Sequence, residues 1–116
     1  MKVTVYGIKN CDTMKKAFAW LELHGVEYAF HDYKRAGVPV ERLATWAKAA
    51  GWERLANTRG PTWRKIPDAA KANLDEKKAL ELLAQHSSAI KRPVVEFGRK
   101  VLVGFDAGEF ERTLGQ

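Results

Sequence analysis

The sequence predicts an α/β fold: a mixed four-stranded sheet built from a βαβ unit and a ββα unit, with a helical insertion between them. Three observations point to it. A β-branched run, VTVYG (3–7), leads into helix-spaced apolar residues and then a second alternating run. The stretch 38–86 changes to helical patterning. The end carries two apolar runs separated by Gly98-Arg99, the pattern of a hairpin. At 116 residues, the chain is expected to form one domain, 1–116, able to bury its own core.

Taken in order, residues 3–7 read as a short buried strand, followed by a polar turn from Ile8 to Cys11. A helix then starts near Asp12, with Met14, Ala17, Phe18 and Leu21 on one face. Gly25 suits the left-handed position that closes it. Residues 26–33 alternate, placing Val26, Tyr28 and Phe30 on one side of a second strand, and a right-handed crossover is expected.

In the insertion, Pro39 is positioned to open a helix whose apolar face is Val40, Leu43, Ala44 and Ala47, and Gly51 closes it. ANTRGPTWRKIP (56–67) reads as loop around the breaker Gly60-Pro61. Asn73 with Glu76 has the spacing of a capping box before a helix over 74–85. Pro93 then precedes VVEF (94–97), which pairs with VLVGF (101–105), and Asp106 with Glu109 caps a last helix carrying Phe110 and Leu114. Trp20 and Trp46 read as core, Tyr6 and Tyr33 as structural, and Trp63 as either packing or pocket lining.

Composition narrows the function. Apolar residues are 46% and charged residues 29%, the balance of an ordinary globular protein. No apolar run is long enough to cross a bilayer, and MKVTVYGIKN lacks a signal-peptide apolar region, so a cytoplasmic protein without membrane contact is expected. The net charge of +6 reads equally as plain solubility or as attraction to nucleic acid, acidic proteins or anionic small molecules, and its basic residues are dispersed, which argues against a nucleic-acid arm. A single cysteine excludes an internal disulfide, and His24, His31 and His86 have no metal-ligand spacing, so no metal is expected.

That cysteine, Cys11, falls where the first strand turns into the first helix. The first turn of a helix has unpaired N–H groups and a partial positive charge, and both favour a thiolate. An ordinary cysteine, with a pKa of about 8.5, is only about 3% ionised at neutral pH. Lys9, Lys15 and Lys16 add positive charge, whereas Asp12 opposes it unless its side chain caps the helix. The neighbours Asn10, Asp12 and Thr13 argue for an exposed polar turn rather than an inert buried thiol. A dithiol redox protein would place a second cysteine at position 14, which is Met14. If Cys11 turns over, an external thiol must complete the cycle.

Four ordered segments, VYGIKNCDTMKKA (5–17), HDYKRAGVP (31–39), NTRGPTWRK (57–65) and IKRPVVEFGRKVLVGF (90–105), resemble the arsenate reductase (ArsC) and Spx family, and most closely its YffB-type branch of small reductase-like proteins. The resemblance runs from about residue 3 to about 110. It implies a thioredoxin-like fold with Cys11 as nucleophile. It implies that Arg59 and Arg92 approach the cysteine and bind anionic oxygens, and that Pro93 is a cis-proline facing it. With Asn10, Asp12 and Thr13 of the cysteine loop, these arginines make up the candidate anion site. Arginine suits that role, because its rigid fork of donors stays charged.

The expected activity is that of a thiol-dependent oxidoreductase attacking a disulfide or an oxyanion. No cofactor is expected to be bound; glutathione is the expected cosubstrate, and glutathione or a glutaredoxin the resolving partner. An anionic small molecule or a protein mixed disulfide is the expected substrate. Arsenate reductases of the family carry a third arginine in the terminal hairpin, and VLVGFDAG (101–108) has none, which counts against arsenate. His86 is followed by Ser87 rather than by the family's frequent proline. The alternative is a Spx-like transcriptional regulator that binds RNA polymerase; the missing C-x-x-C argues against its disulfide switch.

Overall fold

A computed structural model describes residues 2–115. In chain order its elements are β1 (Val3–Gly7), α1 (Asp12–Leu23), β2 (Tyr28–Asp32), α2 (Tyr33–Ala36), α3 (Val40–Ala50), α4 (Trp52–Leu55), α5 (Pro61–Lys65), α6 (Asp68–Lys71), α7 (Glu76–Gln85), a 3-10 turn (Ser87–Ala89), β3 (Val94–Phe97), β4 (Lys100–Val103) and α8 (Ala107–Leu114). They divide into two compact units: one of Met1–Gly37 with Arg92–Gln116, the other of Val38–Lys91.

The first unit holds the sheet, in the order β2-β1-β3-β4. β1 runs parallel to β2, with Val5 opposite Phe30, and antiparallel to β3, with Val5 opposite Val95. β3 and β4 form the expected hairpin, Val95 facing Leu102. Alternation sends Val3, Val5, Val95 and Leu102 to one face, where they pack with Met14, Ala17, Trp20 and Leu21 of α1 and with Phe110 and Leu114 of α8. Cys11 rests partly buried against this cluster. Burial of such side chains is worth about 1.5–3 kcal/mol each, which explains why the helical spacing of α1 was readable.

Gly7 has a specific role at the end of β1. A Cβ there would sit 2.5 Å from the Met14 sulfur, so the glycine lets α1 close onto the strand just below the cysteine turn. At the other end of α1, Gly25 adopts φ 66°. The Gly25 and Val26 N–H groups donate to the Glu22 and Leu21 carbonyls at 3.2 and 2.9 Å, the Schellman closure.

The second unit, Val38–Lys91, is helical. Its core includes Leu43, Trp46, Leu55, Trp63, Ile66, Leu83 and Ile90. Ala56 and Ile90 make an isolated antiparallel bridge, and the Lys91 N–H donates to the Leu55 carbonyl at 2.8 Å. Among the described residues, no helix is long and apolar enough to cross a membrane.

Several expectations need correction. Val40 and Ala44 are exposed, whereas Leu43, Ala47 and Trp46 are buried as expected, so the apolar face of α3 is narrower and turned toward the tryptophan. Asn73 does not cap α7. It takes φ 53°, and Asp75 is the N-cap, its carboxylate accepting from the Lys78 N–H at 2.9 Å. The segment 56–67 is not all loop, because Pro61 starts α5 at the position where its missing N–H costs nothing. Asp12 is the first helical residue of α1 and not its cap; Cys11 holds that place. The strands β2 and β4 are shorter than the apolar runs suggested.

Candidate active site

The site grows out of the turn between β1 and α1. Cys11 has extended backbone angles, φ −144° and ψ 134°, and its carbonyl accepts from the Lys15 N–H at 3.0 Å, the first helical bond. Its side chain therefore projects beside the free N–H groups of the first turn. The thiol makes no ordinary capping bond, yet the Met14 and Thr13 N–H groups lie close enough to stabilise its charge.

Arg92, the residue before β3, adds to this. Because β3 pairs with β1, the chain entering β3 passes next to the cysteine turn. Burial pushes the Cys11 thiol up. The Met14 N–H, a hydrogen bond from Arg92, the Thr13 N–H and the charge of Arg92 outweigh it, and the pKa falls below that of a free thiol. The Arg92–Pro93 peptide bond is cis, and Pro93 is fully buried.

Of the other candidates, Asn10 and Asp12 are exposed and Thr13 is half-buried. Thr13 acts on the thiol through its main-chain N–H. Arg59 belongs to the second unit, where it is exposed and borders a cavity of about 370 Å³ with Arg54, Asn57 and Lys91. Trp63 is buried, its ring contacted by the Lys71 ammonium 5.8 Å from the centroid, which is a packing role. Among the described residues, no cluster of histidine, cysteine and carboxylate could hold a metal.

One group near Arg92 was not anticipated. The Tyr6 hydroxyl donates to Glu96 at 2.8 Å, across the β1–β3 pair. Tyr33 is buried at 4% exposure, and its hydroxyl has no hydrogen-bond partner. Burial, with Tyr6 and Glu96 nearby, pushes its pKa well above the ordinary phenol range, and Arg92 only partly offsets this. Alternation along β1 and the hairpin would have placed Tyr6 and Glu96 on one face, but nothing local to Glu96 marks it.

With this geometry in place, comparison with known proteins becomes informative. The ArsC family model matches residues 6–113. The chain belongs to the ArsC family. An uncharacterized protein from Haemophilus influenzae is 42% identical over 109 residues, covering 94% of this chain and 96% of its own. The solved structure of a protein named YFFB superposes with a TM-score of 0.95 at 49% identity, covering 97% of this chain and 99% of that one. An arsenate reductase (ArsC) related protein from Brucella melitensis is 47% identical with a TM-score of 0.76, covering 100% and 97%. The global transcriptional regulator Spx 2 of Oceanobacillus iheyensis is more distant, 25% identical over 119 residues, covering 98% of this chain and 84% of its own. The mixed sheet with helices is thus the thioredoxin-like fold of ArsC proteins.

Proposed function

We propose that this ArsC-family chain is a glutathione-dependent thiol reductase of a reducing cytoplasm, with Cys11 as its only nucleophile. The observation that carries the reading is Cys11 at the N-cap of α1 with Arg92 hydrogen-bonded to it. A thiol whose pKa is lowered has a larger thiolate fraction at a given pH, and the thiolate is the attacking form.

In the first step the Cys11 thiolate attacks one sulfur of a substrate disulfide, or the central atom of an oxyanion, where the new bond to sulfur forms as one protonated oxygen leaves as water. With a disulfide, the new S–S bond joins Cys11 to one half and the other half leaves as a thiolate. Arg92 and the N–H groups of Thr13 and Met14 face the charge at the cysteine before and after attack. With position 14 occupied by a buried methionine, no internal thiol resolves the intermediate. The thiolate of glutathione, or of a glutaredoxin, attacks the mixed disulfide, frees Cys11 and retains the oxidising equivalent as a new disulfide. Arg59 is proposed as a second anion-binding residue on the strength of the NTRG motif. The hairpin VLVGFDAG, without arginine, makes a disulfide a better candidate substrate than arsenate.

The test is a turnover assay with a glutathionylated protein and reduced glutathione, with intact-mass detection of the Cys11 mixed disulfide. Turnover is expected with wild type, a fall of about 100-fold or more with Cys11→Ser, and a trapped adduct when glutathione is withheld. Equal activity of wild type and Cys11→Ser would rule the mechanism out. The more distant likeness to Spx regulators favours a second reading, a protein that binds RNA polymerase. Recovery of polymerase on the immobilised chain, without any turnover, would support that reading instead.

A further inference from the structure

On the sheet face opposite α1, a cavity of about 520 Å³ runs along the β1–β2 pair. Thr4, Ala29 and His31 form its floor, because alternation turns them away from the face that carries Val3 and Val5. Lys2 stands at one end, before β1, and Lys9 and Arg35 at the other, beyond Gly7 and Asp32. The span between them is that of a five-residue strand, about 17 Å.

Two features make this groove more than general surface charge. Lys2, Lys9 and Arg35 are exposed and form no ion pair or side-chain hydrogen bond among the described residues. Asp32 is the only acid in the lining, and its carboxylate is engaged by the Lys34 N–H at 2.9 Å. His31 is held in place by its Nε2 contact with the Gly37 carbonyl at 2.8 Å and by the Tyr6 ring at 5.2 Å. Secondly, β2 is an edge strand, paired among the described residues with β1 alone. Phe30, whose ring packs edge-on against Phe18, also borders the cavity, so the groove reaches round that free edge. A free strand edge beside unpaired cations matches one kind of occupant, an extended acidic chain that adds main-chain hydrogen bonds to charge pairing.

We infer that the Lys2–Lys9–Arg35 groove binds an extended acidic segment of a protein partner, about five residues long, ending beside the cysteine loop. Lys9 precedes Cys11 by two residues, in the turn that leads from the end of β1 into α1, so the groove and the cysteine turn share that end of the sheet. This deepens the proposed function by naming the substrate class, a protein whose oxidised cysteine adjoins an acidic stretch. It rests on that reading for the substrate's identity only, since binding is measured without thiol chemistry.

The experiment uses a labelled hexapeptide of glutamates and alanines lacking cysteine, titrated with the full chain and read by anisotropy and by amide NMR shifts. Binding is expected to move the Thr4 and Ala29–Asp32 amides and to weaken as salt rises. The triple variant Lys2→Glu, Lys9→Glu, Arg35→Glu is expected to bind about tenfold or more weaker. A control with the same charge change at exposed helical sites, Lys48→Glu, Lys77→Glu, Lys78→Glu, is expected to differ from wild type by less than about twofold. The milder pair Lys9→Gln, Arg35→Gln gives an intermediate loss and guards against misfolding of the triple variant. Equal weakening by groove and control variants would overturn the proposal, as would amide shifts produced by glutathione alone and not by the peptide. Peptide binding that survives while Cys11 shows no turnover would instead overturn the reductase reading and leave the groove standing.

Discussion

At the scale of single residues, Cys11 shows how position reverses the effect of burial on an ordinary thiol. Burial against the α1 core cluster alone would raise its pKa, and the Met14 and Thr13 N–H groups with Arg92 reverse the sign. The cysteine and its place at the helix mouth were legible from local pattern, whereas the approach of Arg92 was an expectation of the family resemblance. Tyr33 was legible only as a structural aromatic. Its hydroxyl is buried with no partner, and a phenol so placed carries an uncompensated desolvation cost. Tyr33→Phe is therefore expected to leave stability unchanged or raise it by about 1 kcal/mol, measured by urea unfolding. A loss of more than about 1 kcal/mol would show that the hydroxyl has a stabilising role after all.

Among the elements, those specified locally were read well and those depending on alternatives were not. The hairpin around Gly98-Arg99 and the cap of α8 came out as the pattern implied, with Asp106 accepting from the Glu109 N–H at 2.9 Å. At α7 two candidate caps compete within three residues. Asn73 satisfies the capping-box spacing, but Asp75 is nearer the first turn and takes the bond to Lys78. In α3, Trp46 is buried as expected, and the helix turns toward it while Val40, placed on the expected apolar face by spacing, stays exposed. α8 buries Phe110 and Leu114 through a helix of only two turns, so its cap should matter. Asp106→Ala is expected to cost about 1 kcal/mol, read as a lower urea midpoint with an unchanged slope. No change in midpoint would mean that Phe110 and Leu114 fix the helix without help.

For the whole molecule, the sheet order β2-β1-β3-β4 is what brings Arg92 beside a lone cysteine and makes it a candidate site. Central β1 presents the cysteine turn at its end, and antiparallel β3 enters beside it carrying Arg92. Local periodicity predicts four strands but not their order, because pairing joins residues some ninety positions apart, as Tyr6 and Glu96 are. The arginine's approach to the cysteine was thus an expectation of the family resemblance, and the pairing supplies its physical cause. The net charge of +6 gains meaning in the same way, once Lys2, Lys9 and Arg35 are seen to rim one groove. The central claim, that Arg92 and the mouth of α1 activate Cys11, is tested most directly by the pH dependence of Cys11 alkylation in wild type and Arg92→Ala. The expected result is a wild-type midpoint clearly below the free-thiol value of about 8.5, rising toward it in the variant. A wild-type midpoint at or above that value, unmoved by Arg92→Ala, would contradict it.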